Sequence, residues 1–458
     1  MRERSELRRR WSRWPWAALA TAGSLFACGG DGGPEAFRWR AAERISGGPG
    51  DALAPDAAMD ASGNAVAVWH QDAPEGRSRV WAARQPRGGP WEAPVALDPG
   101  EAEFARFPRV AVDPAGNAVA VWSRIEGSPA VWASRFLAGR GWSPPERLTA
   151  AGEPGWFPDL ALDPGGDGIV VWQSDRPTGV TIRAARWAGG HWESPRTIQR
   201  PLPETGGSPR VAVAADGTAV AVWHELQAGT FRIWANRFRP GAGWATAEPI
   251  SPPEAREGAL FADVAMDALG NAVAVWQRWA APGLWDVVAA RLEPARGWGP
   301  ATTVAASRPS GEFPRVAMDP GGNALAVWRD ATGGSVFGVW AARFRRDRGW
   351  GQTVLLQSNV GTGADLPQVA LDGTGNGLAA WRRPEADRVS IFAARFLDDA
   401  GWDVPLVVAS GPRAGTDLGN VGPVALALGP GGGAVAAWAQ GDAGGHAVWA
   451  SRYGSVGP

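Results

Sequence analysis

From residue 37 onward, short apolar runs alternate with polar turns, and the alternation itself repeats. The unit Phe107-Pro-Arg-Val-Ala-Val-Asp-Pro-Ala-Gly-Asn-Ala-Val-Ala-Val-Trp122 shows it. Its closing tryptophan returns as Trp69, Trp122, Trp172, Trp223, Trp276, Trp328, Trp381 and Trp438, at intervals of 50 to 57 residues. Each unit predicts four short strands. Strand A is the Val110-Ala-Val112 run, with Asp113-Pro-Ala-Gly116 after it as a type I turn, acid first, proline second and glycine last. A glycine stands at the end of this turn in every copy (Gly63, Gly116, Gly166, Gly217, Gly270, Gly322, Gly375 and Gly432). That placement predicts a left-handed residue, which glycine adopts without steric cost. Strand B, Ala118 to Trp122, is apolar on both faces, as a strand covered on both sides should be. Strand C is the Val131-Trp-Ala-Ser-Arg-Phe136 motif, and Gly141-Trp142 leads into strand D.

Four-stranded units with a period near 50 residues predict an all-β fold, a β-propeller whose blades cover one another's apolar faces. The ends of the chain give the count. Phe37-Arg-Trp39 to Ile45 reads as a strand D without its A, B and C; Ala447 to Tyr453 reads as a strand C without its D. The first completes the last blade, so the chain predicts an eight-bladed ring of four-stranded blades, closed by the N-terminal strand and spanning residues 37–458.

The 45 basic residues, all arginine, balance 46 acids for a net charge of −1, which offers no electrostatic footprint for nucleic acid. Residues 1–27 read as a signal peptide. Six arginines precede an apolar stretch, Trp14 to Ala27, too short to span a bilayer. It ends in Leu25-Phe-Ala-Cys28, which resembles the bacterial lipoprotein signal and implies acylation of Cys28. Cys28 is the single cysteine of the chain. The glycine-rich stretch 28–36 would be a tether, and the resemblance implies a lipid-anchored protein of the cell envelope, at the outer membrane or cell surface. Arg9-Arg10 leaves general and twin-arginine export both open.

Ser134, Gly141 and Trp142 resemble the degenerate Asp-box of sialidase-type propellers, and the Val-Asp-Pro-x-Gly-Asn hairpin is similar to NHL repeats. The resemblance implies a fold and not an activity. Retaining sialidases use a tyrosine nucleophile, and the one tyrosine, Tyr453, takes the slot of Phe136, Phe238, Phe344 and Phe396. It reads as packing. The strand-C arginines (Arg84, Arg135, Arg186, Arg237, Arg291, Arg343, Arg395 and Arg452) recur once per blade and read as braces between blades. Asp60, Asp113, Asp163, Asp267, Asp319 and Asp372 lack the alternate-oxygen spacing of a calcium loop and read as turn caps. His70, His191, His224 and His446 have no metal-ligand spacing. No catalytic residue, metal or cofactor is implied.

Binding residues are sought where loops vary on a rigid scaffold. The B–C and D–A connections emerge on one side and are expected to be its long loops, for example 277–286 and 409–422. Out-of-register Trp156, Trp279 and Trp285, with His224 and Glu225, mark that side as the candidate binding site, since an aromatic beside polar groups suits a sugar ring or a protein anchor. The alternative is that these rings plug gaps. The residues opening strand A alternate in sign, Asp56, Arg109, Asp159, Arg210, Asp263 and Arg315, before Gln368. They read first as a self-neutralising collar and second as a ligand-reading ring. The sequence thus favours a monomeric, non-enzymatic envelope lipoprotein that binds a glycan or protein. A scaffold role in outer-membrane assembly is the alternative, and a polysaccharide-acting enzyme comes third.

Overall fold

The computed structural model describes residues 37–455 except 99, 101–102, 177–178, 201–205, 253–257, 309–310, 334–335, 358–364, 386, 413–421 and 443–444. The proposed signal peptide, Cys28 and the tether lie outside the described residues. Eight antiparallel sheets follow one another along the chain, each in the strand order A-B-C-D. In blade 2, strand A is Phe104–Val112, B is Ala118–Glu126 and C is Ser128–Leu137. Strand D is broken. Gly141–Trp142 and Glu146–Arg147 each pair separately with strand C, and the same break recurs in blades 3 to 8.

The ring closes as the chain ends require. Phe37–Trp39 pairs with the last strand, Gly445–Ser455, with Trp39 opposite Tyr453, the register that Trp142 and Phe136 share in blade 2. Glu43–Arg44 then pairs with Trp449 and Ala450 of the same strand. Tyr453 is buried against Phe37 and Trp39, at ring separations of 5.4 and 5.2 Å. It is core.

Blades pack through strand B. The face carrying the repeat tryptophan and small alanines lies on the valine face of the preceding blade. Ala272, Ala274 and Trp276 of blade 5 pack on Val220, Val222 and Ile233 of blade 4, and Trp69 packs across the closure on Ala437 and Val448. All eight tryptophans are at most 1 % exposed. A ring burying about 200 Å² contributes roughly 5 kcal/mol of transfer free energy before ordering costs.

The A–B turn works as the composition suggests. Gly63 N–H donates to Asp60 O at 3.0 Å, Asp60 Oδ1 accepts Asn64 N–H at 2.8 Å, and all eight turn glycines have φ between 77° and 85°. A further constraint comes from the next blade. A Cβ at Gly166 would stand 2.7 Å from Asp113 Oδ2, so the acid of one turn occupies the space that the next turn's glycine leaves. The strand-C arginines brace neighbours too. Arg135 lies 3.7 Å above the Trp187 ring and Arg343 5.0 Å above Phe396, while Arg452 crosses the closure to Gln85 and Gly63.

One expectation is corrected. The B–C connections are not long loops. Strand B of blade 5 runs Ala272–Ala281 and strand C Leu284–Glu293, so most of 277–286 is ladder with a two-residue turn. Strand pairing continues past the repeat tryptophan because the backbone there gains more by bonding across the hairpin than by lying free. The expected loop 409–422 begins as strand (Leu406–Pro412), and its remainder, 413–421, lies outside the described residues.

Candidate functional site

Strand A is the inner edge of each blade and runs from the B–C side of the ring towards the A–B turns. Near its start the register with strand B slips in seven blades, for example between Arg106 and Arg109, Trp156 and Asp159, and Glu312 and Arg315. At each slip one residue is left-handed: Ala54, Phe107, Phe157, Ser208, Phe261, Phe313 and Leu366, with φ from 44° to 56°. Gly422, φ 73°, precedes Pro423 in blade 8 as most of these precede a proline. A non-glycine residue here carries about 1–2 kcal/mol of strain. Such bulges re-aim a side chain, and here four of them aim phenylalanines.

The phenylalanines form two groups. Phe107 and Phe157 meet at 4.5 Å, with Trp156 at 6.5 and 6.3 Å from them. Phe261 and Phe313 meet at 5.0 Å. Phe107 is 37 % and Phe157 42 % exposed. We call this rim the crown.

Two residues further along strand A lies the charged collar. Arg109 reaches both neighbouring blades, 3.8 Å to Asp56 and 3.9 Å to Asp159, and Arg210 lies 3.3 Å from Asp159. The acids also accept backbone N–H groups across blades: Val110 to Asp56 at 2.9 Å, Val211 to Asp159 at 3.0 Å, and Val316 to Asp263 at 3.0 Å. Each aspartate therefore ties its blade to the next strand A. Burial raises the Asp56 carboxyl above its usual range against Arg109 and the Val110 amide. Burial opposes the charge on Arg210, yet Asp159 and Asp263 together hold its pKa above the ordinary value.

The five sequence-derived binding residues divide. Trp156 opens strand A of blade 3 and belongs to the crown. His224 lies on strand B of blade 4, with its ring 6.4 Å from Phe261 and 5.4 Å from Phe231. Burial lowers its pKa to about 4. His70 holds the same register in blade 1 and falls to about 3, through burial and then Arg106. Glu225 is 1 % exposed and accepts the Trp223 indole N–H at 3.0 Å, so its carboxylate faces the inter-blade core. Trp279 and Trp285 are a cross-strand pair on the blade 5 hairpin, half-buried and outside the ring contacts of the crown. None of the five sits on a free loop.

The crown phenylalanines were missed, although Ala-Pro, Phe-Pro, Ser-Pro and Leu-Pro recur at one offset before the repeat tryptophan. A groove of 530 Å³ between blades 5 and 6 is lined by Arg291, Trp298, Phe344 and Trp350. Similar grooves recur between other blades, which makes them products of the repeat. Among the described residues no group of acids, histidines or cysteines could hold a metal.

No family model matches the chain, and no curated protein matches its sequence. Solved structures do resemble it. The BP39L lectin from Burkholderia pseudomallei is 14 % identical with a TM-score of 0.52, over 79 % of this chain and all of that one. An ulvan lyase of polysaccharide lyase family 25 is 11 % identical with a TM-score of 0.49, over 81 % and 96 %. The Hadza microbial sialidase Hz136 is 15 % identical with a TM-score of 0.38, over 72 % and 74 %. At these identities the likeness is one of fold. The chain is an eight-bladed β-propeller.

Proposed function

We propose that this protein is a glycan-binding propeller of the cell envelope, held by a lipid on Cys28, with its binding surface at the crown. The observation that carries the reading is the aromatic trio Phe107, Trp156 and Phe157. Two of its rings are exposed, turned outward by the strand-A bulge that the repeat builds. Flat rings over a polar channel suit a sugar, whose apolar face stacks while its hydroxyls reach charged groups. Trp156 and His224 belong to this surface. Trp279 and Trp285 would extend it outward along blade 5, and Glu225 would act from beneath by fixing Trp223. The fold likeness to a lectin accords with the reading without carrying it. No observation among the described residues favours a scaffold role in assembly over this reading.

A glycan array probed with the wild type, Phe107→Ala/Phe157→Ala and Trp279→Ala/Trp285→Ala tests this. Loss in the first double variant with melting near wild type is the expected result. Loss only in the second would move the site to the hairpin; a silent array with a membrane protein co-purifying would favour the scaffold. The anchor is tested separately: a fatty-acid label should mark the wild type and not Cys28→Ser.

A further inference from the structure

The collar alternates in sign through six blades and then stops. A continued alternation would place an acid in blade 7 and a base in blade 8. The residues in that register are Gln368, opposite Ala380, and Ala425, opposite Ala437. Arg315 in blade 6 is consequently flanked by an acid on one side only.

The three arginines therefore differ. Arg109 has two carboxylates within 3.9 Å and Arg210 has one at 3.3 Å. Arg315 makes no hydrogen bond or ion pair among the described residues. Asp263, its one acidic collar neighbour, accepts the Val316 amide with Oδ2, as Asp56 and Asp159 accept theirs, and forms no ion pair with Arg315 among the described residues. Gln368 donates Nε2 to the carbonyl of Pro367 at 3.0 Å, and no hydrogen bond joins its Oε1 to Arg315 among the described residues. Burial, followed by repulsion from Arg210, pushes Arg315 down to about 10, so it stays charged at neutral pH. A guanidinium is a planar fork of five donors suited to oxyanions. The N–H groups of Arg315 are unpaired among the described residues yet not sealed from solvent, so they are open to an incoming oxyanion.

We propose that Arg315 binds the anionic group, a carboxylate or a sulfate ester, of an acidic saccharide that enters the channel over Phe313. This rests on the glycan reading above and narrows it to acidic glycans. Phe313 lies two residues before Arg315 on the same strand, with Phe261 at 5.0 Å, so a ring stacked on the crown would have its substituent beside the guanidinium. Gln368 and Ala425 place no carboxylate at the collar register of blades 7 and 8, whereas the aspartates elsewhere in the collar would repel the same group.

The test is isothermal titration of the full-length protein in detergent with tetragalacturonate, a sulfated galactan tetramer and neutral galactotetraose. At least one acidic probe should bind ten-fold or more tightly than the neutral one, less tightly as salt is raised. Arg315→Gln should remove that margin and leave residual binding equal to the neutral probe's. Gln368→Asp, which supplies the missing carboxylate, should remove it as well. Neither variant should melt below the wild type, because both relieve an unpaired charge. Equal binding of acidic and neutral probes, or an acidic preference that survives both substitutions, overturns the inference while the glycan reading stands. Failure of every saccharide to bind would defeat that reading and this inference together.

Discussion

The arc of the ring from blade 1 to blade 5 and the arc from blade 6 to blade 8 are built from one repeat and held in different ways. In the first, collar charges interlock: Asp159 serves Arg109, Arg210 and the Val211 amide at once. In the second the collar runs Arg315, Gln368, Ala425, and no ion pair joins collar residues of neighbouring blades among the described residues. The seam between blades 8 and 1 lies there too, secured by strand pairing of Phe37–Trp39 and by the fit of Gly422, where a Cβ would stand 2.8 Å from Ala54 Cα. The lesson is one of division. Where the repeat keeps its charges paired it builds a brace, and where it drops them it leaves Arg315 without an ion pair among the described residues.

Four perturbations separate the arcs. Deleting 37–46 should have the largest effect, because it leaves the strand Gly445–Ser455 as an open edge and uncovers Tyr453. A loss of about 5 kcal/mol or more, most of a typical domain's stability, should appear as aggregation or a collapsed melting transition. A melting curve like the wild type's would mean that the second arc does not depend on the latch.

Acid comes next, and it acts on the first arc. His70 and His224 are neutral in the fold, at about 3 and about 4. An unfolded histidine takes up a proton near pH 6.5. Their stabilisation is therefore complete above pH 6.5 and is lost as pH falls towards 4 and then 3. Over that window His224 contributes at most about 3 kcal/mol and His70 at most about 5 kcal/mol. Denaturant midpoints between pH 7 and 4 should fall, and His224→Gln should flatten the upper part of the slope. An unchanged slope would place the ring in water.

How far the sequence revealed this division depends on repetition. The Trp69-to-Trp438 series, the turn glycines, the arginine braces and the closing strand were legible because each recurs in nearly every blade. The crown was legible as a recurring X-Pro dipeptide but not as a crown. A residue before proline is expected to be extended, whereas Phe107 and Phe157 are left-handed, and only the register slip in strand A forces that. The pairing of 277–286 was hidden because the repeat motif ends at Trp276, and Glu225 looked like a site group because sequence does not show which face of a strand is covered.

Asp159→Asn should cost about 2 kcal/mol, since it removes a partly buried charge shared by two arginines and leaves them exposed to one another. Chemical denaturation measures it, and the loss should shrink as salt rises. A neutral result would make the collar ornamental even where it interlocks. The smallest effect, and of opposite sign, is expected in the second arc: Gln368→Asp should stabilise by about 1 kcal/mol, and a clear loss there would show that Arg315 already has what it needs.

The central claim is that the crown is where ligand binds. A crystal structure of the protein with a saccharide selected from the array tests it most directly. The account predicts a sugar ring against Phe107, Trp156 and Phe157 or against Phe261 and Phe313, at the mouth of the channel. A saccharide seated on the Trp279–Trp285 hairpin or in an inter-blade groove, with the crown empty, would contradict it.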